Sequence, residues 1–391
     1  MNEPPKILIV GPTPPPYHGV SVATQVLLDS LSSERFSVVH LDTADRRDIA
    51  YVDQPDLWDV LLFIHQWLAH ATTIVRKRPQ ICYLPLCQSR IGFVRDSFFM
   101  IPAFLAGSAV VAHLHGANFD HVYMHGGRIF KWYVDFILKR VTKFVVLGEM
   151  LILIFKPWAN PEAIAVVPNG VPESPPNDRS REGSDTSSRC RVVFLSTLSR
   201  QKGLFVLLDA IPLIAREYPD VEFHIAGPWC GRGTEEEARE QLVATQQSAR
   251  VTFHGPLIGE DKMKFLRSGD VFVFPGIQQE GQPLTVLEAM CACLPVIATD
   301  RGCLRETVVE GLTGFIVPPN SPEAIAERLL HLIRSPEERR QLAKNARLRY
   351  EEKYTMSIFA ARMADLFAQL VQSDFHRIPR TMSSHHKSTQ R

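Results

Sequence analysis

The amino-acid sequence predicts an α/β protein built from two doubly wound parallel sheets that face a cleft. Three observations support this prediction. The chain has 391 residues, which is long for a single hydrophobic core. Short apolar runs alternate with helical patterns both before residue 171 and after residue 191. Between these regions lies a polar stretch rich in Pro and Ser. In such sheets ligands bind beyond the carboxyl ends of the strands, so the cleft is the expected binding site.

The first alternating region opens with Lys6–Gly11, an apolar run that predicts a buried strand leading into a loop rich in Gly and Pro. A helix is predicted over Ser21–Leu31, with Ser21 as its N-cap and apolar side chains on one face. The remaining strands of this region are predicted at Phe36–His40, Ile81–Leu84, Val110–His113, Phe144–Leu147 and Ile164–Val167. Because helical stretches lie between most of them, we predict that residues 1–171 form one domain with parallel strands.

The polar stretch 172–190 is almost free of apolar residues, and we predict a disordered linker there. A second domain is predicted over residues 191–355. Its strands are predicted at Val192–Leu195, Val221–Ala226, Val251–His254, Val271–Phe274, Val296–Thr299 and Gly314–Val317. Its helices are predicted at Leu204–Glu217, Glu260–Arg267, Leu284–Ala292 and Pro322–Ile333. Further helices are expected from Pro336 to about Val371, and the polar tail 373–391 is expected to be disordered.

The bulk composition bears on the class of function and on the cellular compartment. The formal net charge of +1 argues against a nucleic-acid-binding protein, because such proteins carry a basic excess. The seven cysteines are odd in number and form no Cys-x-x-Cys pair, which is typical of reduced thiols in the cytoplasm. The first residues do not resemble a signal peptide, and no run of about 20 apolar residues occurs. We therefore expect a cytoplasmic protein without a membrane-spanning helix.

The segment 279–290 carries the most chemical information, because it joins two glutamates, Glu280 and Glu288, through the start of a helix. Pro283 suits the first helical position, where a missing N–H costs nothing. The backbone N–H groups of Gly281, Gln282, Leu284 and Thr285 would then point out of the helix N-terminus and attract an anion. Glu280 would stand on the lip of that site, with Glu288 more than a turn inside the helix. Such a layout suits a sugar nucleotide, although an ordinary helix start is the alternative.

Four other loops follow predicted strands and could face the cleft. The loop 11–19 ends in Gly19, which allows close backbone approach, but it lacks both a Gly-x-Gly-x-x-Gly pattern and a P-loop lysine. His115 follows a strand and could hydrogen-bond a sugar hydroxyl, or it could be structural. The loop 196–203 carries Lys202 beside a helix N-terminus, where a diphosphate would be attracted. Gly227 lies in a turn that could let the backbone approach a flat base, or it could be simple turn chemistry.

No Asp-x-Asp sequence occurs, and no group of His, Cys and Asp has the spacing of a zinc site. A nucleotide diphosphate would then have to be neutralised by Lys202, Arg200 and helix dipoles. We therefore expect no metal and no other cofactor.

Four motifs together resemble the retaining glycosyltransferases of family four, which have the GT-B fold of two Rossmann-like domains. Glu280 and Glu288 resemble the paired glutamates of that family. The run Val167–Val171 is similar to its Pro-Asn-Gly segment, Gly311–Pro318 to its closing strand, and Ser321–Ile325 to the helix that follows. The resemblance covers nearly the whole chain and is strongest from Val192 to Pro319.

This resemblance implies a reaction and a role for each site residue. Glu280 would bind hydroxyls of the donor sugar, Lys202 the diphosphate and His115 the sugar, and these three residues form the implied catalytic set. The resemblance also implies that Gly19 approaches the phosphate or sugar and that Glu288 holds the ribose. With the residues of the loops and the helix start described above, the predicted donor-binding set is Gly19, Arg200, Gly227, Gly281, Gln282, Leu284, Thr285 and Glu288. The sugar would be transferred with retention, the leaving phosphate helping to deprotonate the acceptor. The segment 356–372 would cross back onto the N-terminal domain.

The chain departs from the family pattern at two places. Ser196 and Thr197 stand where the family often has Gly-Arg, and Arg200 could substitute for that arginine. Gly19 and Val20 stand in place of a glycine pair.

The acceptor would meet the N-terminal domain, where residues 91–105 are apolar and residues 127–140 mix aromatic side chains with Arg128, Lys131, Lys139 and Arg140. These stretches could lie on an anionic membrane and meet a lipid-linked glycan, or they could be core helices with basic ends. UDP is the favoured nucleotide of the donor, with GDP as an alternative. Two other functions stay open at this point, a sugar-nucleotide epimerase of the same fold and a non-catalytic protein that binds a sugar nucleotide.

Overall fold

The computed structural model describes residues 3–15, 19–31, 35–46, 57–175 and 190–375. It contains two six-stranded sheets, one from each half of the chain, and every strand pair in both sheets is parallel. The prediction of two doubly wound α/β sheets is therefore confirmed. The predicted linker 172–190 and tail 373–391 lie largely outside the described residues, since 176–189 and 376–391 are not among them.

The N-terminal sheet has the strand order β2-β1-β3-β4-β5-β6. Its strands are β1 Lys6–Gly11, β2 Ser37–Asp42, β3 Ile81–Pro85, β4 Ala109–Leu114, β5 Lys143–Val146 and β6 Ile164–Val166. Its helices are α1 Gly19–Ser30, α2 Leu57–Lys77, α3 Arg90–Leu105, α4 Phe119–Met124, α5 Arg128–Leu138 and α6 Ile152–Phe155. Strand residues such as Ile7, Leu8 and Ile9 are fully buried, because helices cover both faces of the sheet.

The C-terminal sheet has the order β12-β11-β10-β7-β8-β9. Its strands are β7 Arg191–Leu195, β8 Glu222–Ala226, β9 Val251–Phe253, β10 Val271–Phe274, β11 Val296–Thr299 and β12 Gly314–Val317. Its helices are α7 Leu204–Ala215, α8 Thr234–Ala244, α9 Gly259–Arg267, α10 Leu284–Cys291, α11 Leu304–Thr307, α12 Pro322–Arg334 and α13 Pro336–Lys353. The order reverses between β7 and β10, so the loops that follow these two neighbouring strands open at the switch point of the sheet.

The last helix, α14 Met356–Phe375, returns to the N-terminal half. Phe359, Met363 and Phe367 recur at helical spacing and pack with residues of β1 and α1 in one buried cluster. The expectation that the C-terminal helix crosses back is therefore confirmed. Described residues include no helix with both the length and the apolar character needed to cross a membrane.

Two predicted helix starts are wrong by one or two residues. Helix α1 begins at Gly19, so Ser21 lies inside its first turn with a buried side chain and is not the N-cap. Pro283 is the N-cap of α10 and not its first helical residue, because its ψ of 123° is extended. Proline fixes φ but leaves ψ free, which is why the pattern alone could not separate the two positions.

Candidate active site

Lys202 and Glu280 meet at the switch point of the C-terminal sheet. Lys202 lies in the loop after β7, and Glu280 lies in the loop after the neighbouring strand β10. The Lys202 Nζ atom donates to both carboxylate oxygens of Glu280, at 2.7 and 2.9 Å. Gln278 Nε2 donates to the same carboxylate at 3.1 Å. Only 9% of the Glu280 side chain is exposed, so the negative charge is held in a fixed place beyond the carboxyl end of β10.

The Glu280 loop is held from behind by residues that the sequence analysis did not single out. Gly302 has a φ of +53°, and a Cβ atom there would lie 1.7 Å from the Glu280 carbonyl oxygen. Its N–H donates to Gln279 Oε1 at 2.9 Å, and the Cys303 N–H donates to the Glu280 carbonyl at 3.2 Å. Glycine is therefore required at 302 for the loop after β11 to support Glu280.

Glu288 lies inside helix α10 and is paired with a second lysine. Lys262 Nζ on α9 donates to Glu288 Oε1 at 2.5 Å, while Oε2 has no hydrogen-bond partner among the described residues. Burial raises the pKa of Glu288, and the charge of Lys262 opposes that shift. Glu288 and Lys262 also line a cavity of about 280 Å³, together with residues 172–175 and the start of α9. Lys262 was missed in the sequence, because no local pattern pairs it with Glu288.

Gln282 joins the two halves of the protein. Its Oε1 accepts the Asn169 N–H at 2.8 Å, and its backbone oxygen accepts from Asn169 Nδ2 at 3.1 Å. Its Nε2 donates to Thr307 Oγ1 at 3.1 Å. Both polar ends of the Gln282 side chain thus have partners within the protein, which ties the segment after β6 to the start of α10.

His115 follows β4 and lies in a cluster of aromatic side chains. The Tyr83 hydroxyl lies 2.8 Å from His113 Nδ1 and 3.4 Å from His115 Nε2, and the two imidazole rings are 3.9 Å apart. Burial holds the pKa of His113 well below its usual range, so this ring is neutral. A Cβ atom at Gly281 would lie 2.3 Å from the His115 carbonyl oxygen. The N-terminal and C-terminal halves therefore touch where His115 meets the Glu280 loop.

Other predicted site residues lie outside this group. Arg200 forms an ion pair with Glu237 on α8, and its guanidinium lies 4.3 Å above the Phe205 ring. Gly227 donates its N–H to the Gly255 carbonyl at 2.8 Å and packs against the backbone of the loop after β7. The remaining three are Gly19, which opens α1 and where an added Cβ atom would meet no described atom within 4 Å, and Leu284 and Thr285, which are half-buried in the first turn of α10. Residues 16–18 of the loop before Gly19 lie outside the described residues.

Within the described ranges, no three His, Cys, Asp or Glu side chains cluster closely enough to hold a metal ion. The candidate site contains two lysine–glutamate pairs, Lys202 with Glu280 at the switch point and Lys262 with Glu288 between α9 and α10. Such a site offers cations for phosphate oxygens and carboxylates for hydroxyl groups.

Comparisons with known proteins agree with this chemistry. The family model described as "Glycosyl transferases group 1" matches residues 177–349. The phosphatidyl-myo-inositol mannosyltransferase of Mycobacterium leprae (strain TN) is 32% identical over 184 residues, which cover 46% of this chain and 47% of the relative. Spore coat protein SA of Bacillus subtilis (strain 168) is 32% identical over 180 residues, covering 45% and 48%. These matches span about half the length of each relative.

The solved structure of Anabaena Alr3699/HepE in complex with UDP-glucose has the same fold. It superposes with a TM-score of 0.71 at 18% identity, over 93% of this chain and 99% of the other. At that identity the similarity concerns the fold, and it extends the likeness to both halves of the chain.

Proposed function

The chain belongs to the group 1 glycosyl transferases through residues 177–349, and from that premise we propose that it transfers a sugar from a nucleotide-diphosphate sugar to a glycan or lipid-linked glycan. The observation that carries this proposal is the Lys202–Glu280 pair at the switch point of the C-terminal sheet. A diphosphate would compete with Glu280 for the lysine. The carboxylate would then be released to accept hydrogen bonds from sugar hydroxyls. One exchange of partners thus frees a lysine for the diphosphate and a carboxylate for the sugar.

In the proposed reaction the protein stabilises the transition state electrostatically, and no protein carboxylate acts as a nucleophile. Lys202 and the N-termini of α7 and α10 stabilise the charge that develops on the leaving phosphate. The leaving phosphate takes the proton of the acceptor hydroxyl, and the new bond forms on the face from which the phosphate departs, so the anomeric configuration is retained. His115 contacts the donor sugar from the N-terminal half, and Glu288 holds the ribose.

UDP is the favoured nucleotide and GDP the alternative. The HepE structure, which shares the fold, was solved with UDP-glucose. At 18% identity that likeness concerns the fold and does not decide which base this chain binds, so both nucleotides belong in the first experiment.

The proposed acceptor is lipid-linked, and the protein would act at the cytoplasmic face of a membrane. One relative is named a phosphatidyl-myo-inositol mannosyltransferase, and phosphatidyl-myo-inositol is a lipid. In this chain, α2 packs on α3 through Phe63 and Phe98, and α3 packs on α5 through Phe93 and Phe130. These three helices carry exposed apolar side chains, here named the apolar helix face: Leu57, Trp58, Leu61, Leu68, Ile91, Leu105, Ile129, Trp132 and Phe136. Such a surface suits the lipid interface.

Nucleotide binding and sugar transfer test the proposal in that order. UDP, GDP and ADP are screened by thermal shift, since a ligand that binds the folded state raises its melting temperature. The nucleotide that binds is then supplied as its sugar conjugate, with and without a lipid-linked acceptor. Release of free nucleotide that depends on the acceptor supports a transferase. Conversion of the sugar nucleotide to an epimer without an acceptor identifies an epimerase, and binding without turnover identifies a non-catalytic protein.

We expect the activity to be independent of metal ions, because lysines and helix N-termini supply the positive charge at the switch point. Turnover should therefore persist in excess EDTA. A loss of turnover that is restored only by adding Mn²⁺ or Mg²⁺ would contradict this part of the proposal. The control is the same protein preparation assayed without EDTA.

A further inference from the structure

Lys262 lies in the candidate site but has no role in the reaction as proposed so far. It sits in the first turn of α9, with its side chain about one-quarter exposed, at 27%. Its ammonium group lies 2.5 Å from Glu288 Oε1. Glu288 itself is only 5% exposed. A buried carboxylate with a single cationic partner is held in place by that partner, because the carboxylate has few other ways to be solvated.

The second carboxylate oxygen of Glu288 indicates that a ligand binds here. Glu288 Oε2 is buried and has no hydrogen-bond partner within the part of the chain that the structure describes. Buried carboxylate oxygens normally accept hydrogen bonds, so an unpartnered one calls for an explanation. Glu288 and Lys262 line the same cavity of about 280 Å³. A ligand with hydroxyl groups placed in this cavity would supply the donor that Oε2 lacks.

We propose that Lys262 is a positioning residue of the donor site, which holds Glu288 ionised and turned so that Oε2 accepts a hydrogen bond from a ribose hydroxyl of the nucleotide. This inference rests on the proposed function, because it assumes that a nucleotide binds. It adds a residue that acts through Glu288. By holding Glu288, Lys262 sets the preference of the site for a ribose over a ribose that lacks its 2′ and 3′ hydroxyl groups.

The charges around Glu288 make this role sensitive to pH. Lys262 is the cation that contacts the carboxylate, and Glu173 and Glu260 line the same cavity. On the side of α13, Arg347 contacts Cys291, whose thiol pKa is raised by burial. Without Lys262, burial would act alone and raise the pKa of Glu288 further. The carboxylate would then be protonated at a higher pH than in the parent protein.

The test compares UDP with 2′,3′-dideoxy-UDP by isothermal titration calorimetry, using the parent protein and Lys262→Met. The parent protein should bind UDP about tenfold more tightly than the dideoxy analogue, as expected for a hydrogen bond to a charged group. In Lys262→Met that ratio should fall to about twofold or less, and the affinity for UDP should weaken as pH falls from about 8 to about 6. Lys262→Arg, which keeps the cation, should restore both properties.

Lys264→Met is the matched control, since Lys264 lies on the same helix, faces solvent and pairs only weakly with Asp261 at 3.5 Å. It should leave the ratio unchanged. If Lys262→Met fails to fold, as judged by its melting curve, Lys262→Gln keeps a hydrogen-bond donor without the charge and takes its place. If the variant at Lys262 keeps the affinity ratio of the parent protein and shows a flat pH profile, this inference is wrong while the proposed function stands. If the parent protein binds neither UDP nor GDP, the proposed function fails and the inference fails with it.

Discussion

Each of the two cleft carboxylates has a lysine as its partner. Glu280 is bound by Lys202 and Glu288 by Lys262, and in both pairs the carboxylate is the more buried member. Breaking a buried pair by removing one partner leaves the other charge uncompensated, which typically costs about 3–5 kcal/mol. A ligand that replaces one partner with a charge of the same sign avoids this cost. A diphosphate could replace Glu280 at Lys202 in this way.

Glu280→Gln separates the two halves of this exchange. The amide keeps the size of the side chain but no longer neutralises Lys202. Sugar transfer should fall by about 100-fold or more, because contacts made in the transition state are lost. Affinity for UDP should stay the same or rise, since Lys202 is free for phosphate. The measurements are turnover and calorimetric affinity, with the exposed Glu327→Gln as the control. Turnover equal to that of the parent protein would remove Glu280 from the reaction.

Arg200 is expected to be of little importance for phosphate binding in this chain. Its guanidinium is paired with Glu237, and 60% of its side chain is exposed. Because the guanidinium contacts Glu237 and the Phe205 ring, Arg200→Ala should change UDP affinity by no more than about threefold. Lys202→Ala, measured beside it, should weaken UDP binding by about tenfold or more, because a charge-assisted contact is lost. Equal losses in the two variants would mean that Arg200 leaves Glu237 and takes the place of the arginine that Thr197 replaces.

At the residue scale, the sequence was informative where chemistry is local. Glu280 and Lys202 could be found because each lies in a loop between a strand-like run and a predicted helix start, and Glu288 because it follows Glu280 by eight residues within that helix. The contacts of Lys262 with Glu288 and of Asn169 with Gln282 could not be found in this way, since these partners lie 26 and 113 residues apart in sequence. Such contacts depend on the order of strands in each sheet, which the sequence pattern does not reveal.

Helices α2 and α3 are joined by a buried histidine. His70 on α2 donates its Nε2 proton to the Phe99 carbonyl at 2.8 Å, and its ring meets the Phe99 ring edge-on. Its Nδ1 has no partner among the described residues, so protonation would bury an unpaired charge. Burial accordingly lowers the pKa of His70 to about 4.

This packing predicts a pH-dependent contribution to stability. The folded pKa of His70 lies below its unfolded value of 6.5, so the unfolded state binds the proton first as pH falls. The contribution is therefore complete above pH 6.5 and is lost progressively toward pH 4. A shift of this size corresponds to about 3 kcal/mol. Urea unfolding of His70→Gln at several pH values should lack this part of the acid sensitivity. His65→Gln, on an exposed position of the same helix, should keep it.

At the element scale, strands were predicted more accurately than helix starts. β10, β11 and β12 have the predicted bounds, because each is a short apolar run between turn residues. The N-terminal start of α1 was misplaced, since Gly19 and Val20 carry no capping signal. Helices were predicted between most strands of the N-terminal half, but helix α2 was given no bounds. Its exposed Leu57, Trp58 and Leu61 obscure the polar face by which a surface helix is recognised.

The two halves of the molecule are joined by polar contacts between their loops. The Glu306 carboxylate on α11 accepts the backbone N–H groups of Glu149 and Met150, at 2.8 and 2.7 Å. Together with the Asn169–Gln282 contact, this fixes the N-terminal half against the Glu280 loop. The domain limits at residues 171 and 191 remain a prediction. Helix α14 and the contacts of Gln282 both cross between the halves. The limits of a domain in the sequence therefore need not coincide with the limits of a packed unit.

The apolar helix face leads to the last prediction, which concerns the orientation of the whole molecule on a membrane. Ile129 and Trp132 on α5 are 83% and 66% exposed, and the basic residues Lys139 and Arg140 follow at the end of that helix. Insertion of the aromatic residues and attraction of the basic ones to anionic lipid should act together. Each basic residue near an anionic surface contributes about 1 kcal/mol.

Lys139→Glu combined with Arg140→Glu should weaken binding to phosphatidylglycerol vesicles by about tenfold or more, as measured by co-sedimentation. The matched control combines Lys344→Glu with Lys353→Glu, at two exposed lysines of α13 in the other half. It should bind as the parent protein does. Raised salt should weaken the parent protein in the same way, because it screens surface charge. Trp132→Ser should weaken binding at every salt concentration, since burial of an apolar ring does not depend on screening. If the parent protein does not bind these vesicles, or if both charge-reversed proteins lose binding equally, the apolar helix face is not the membrane contact.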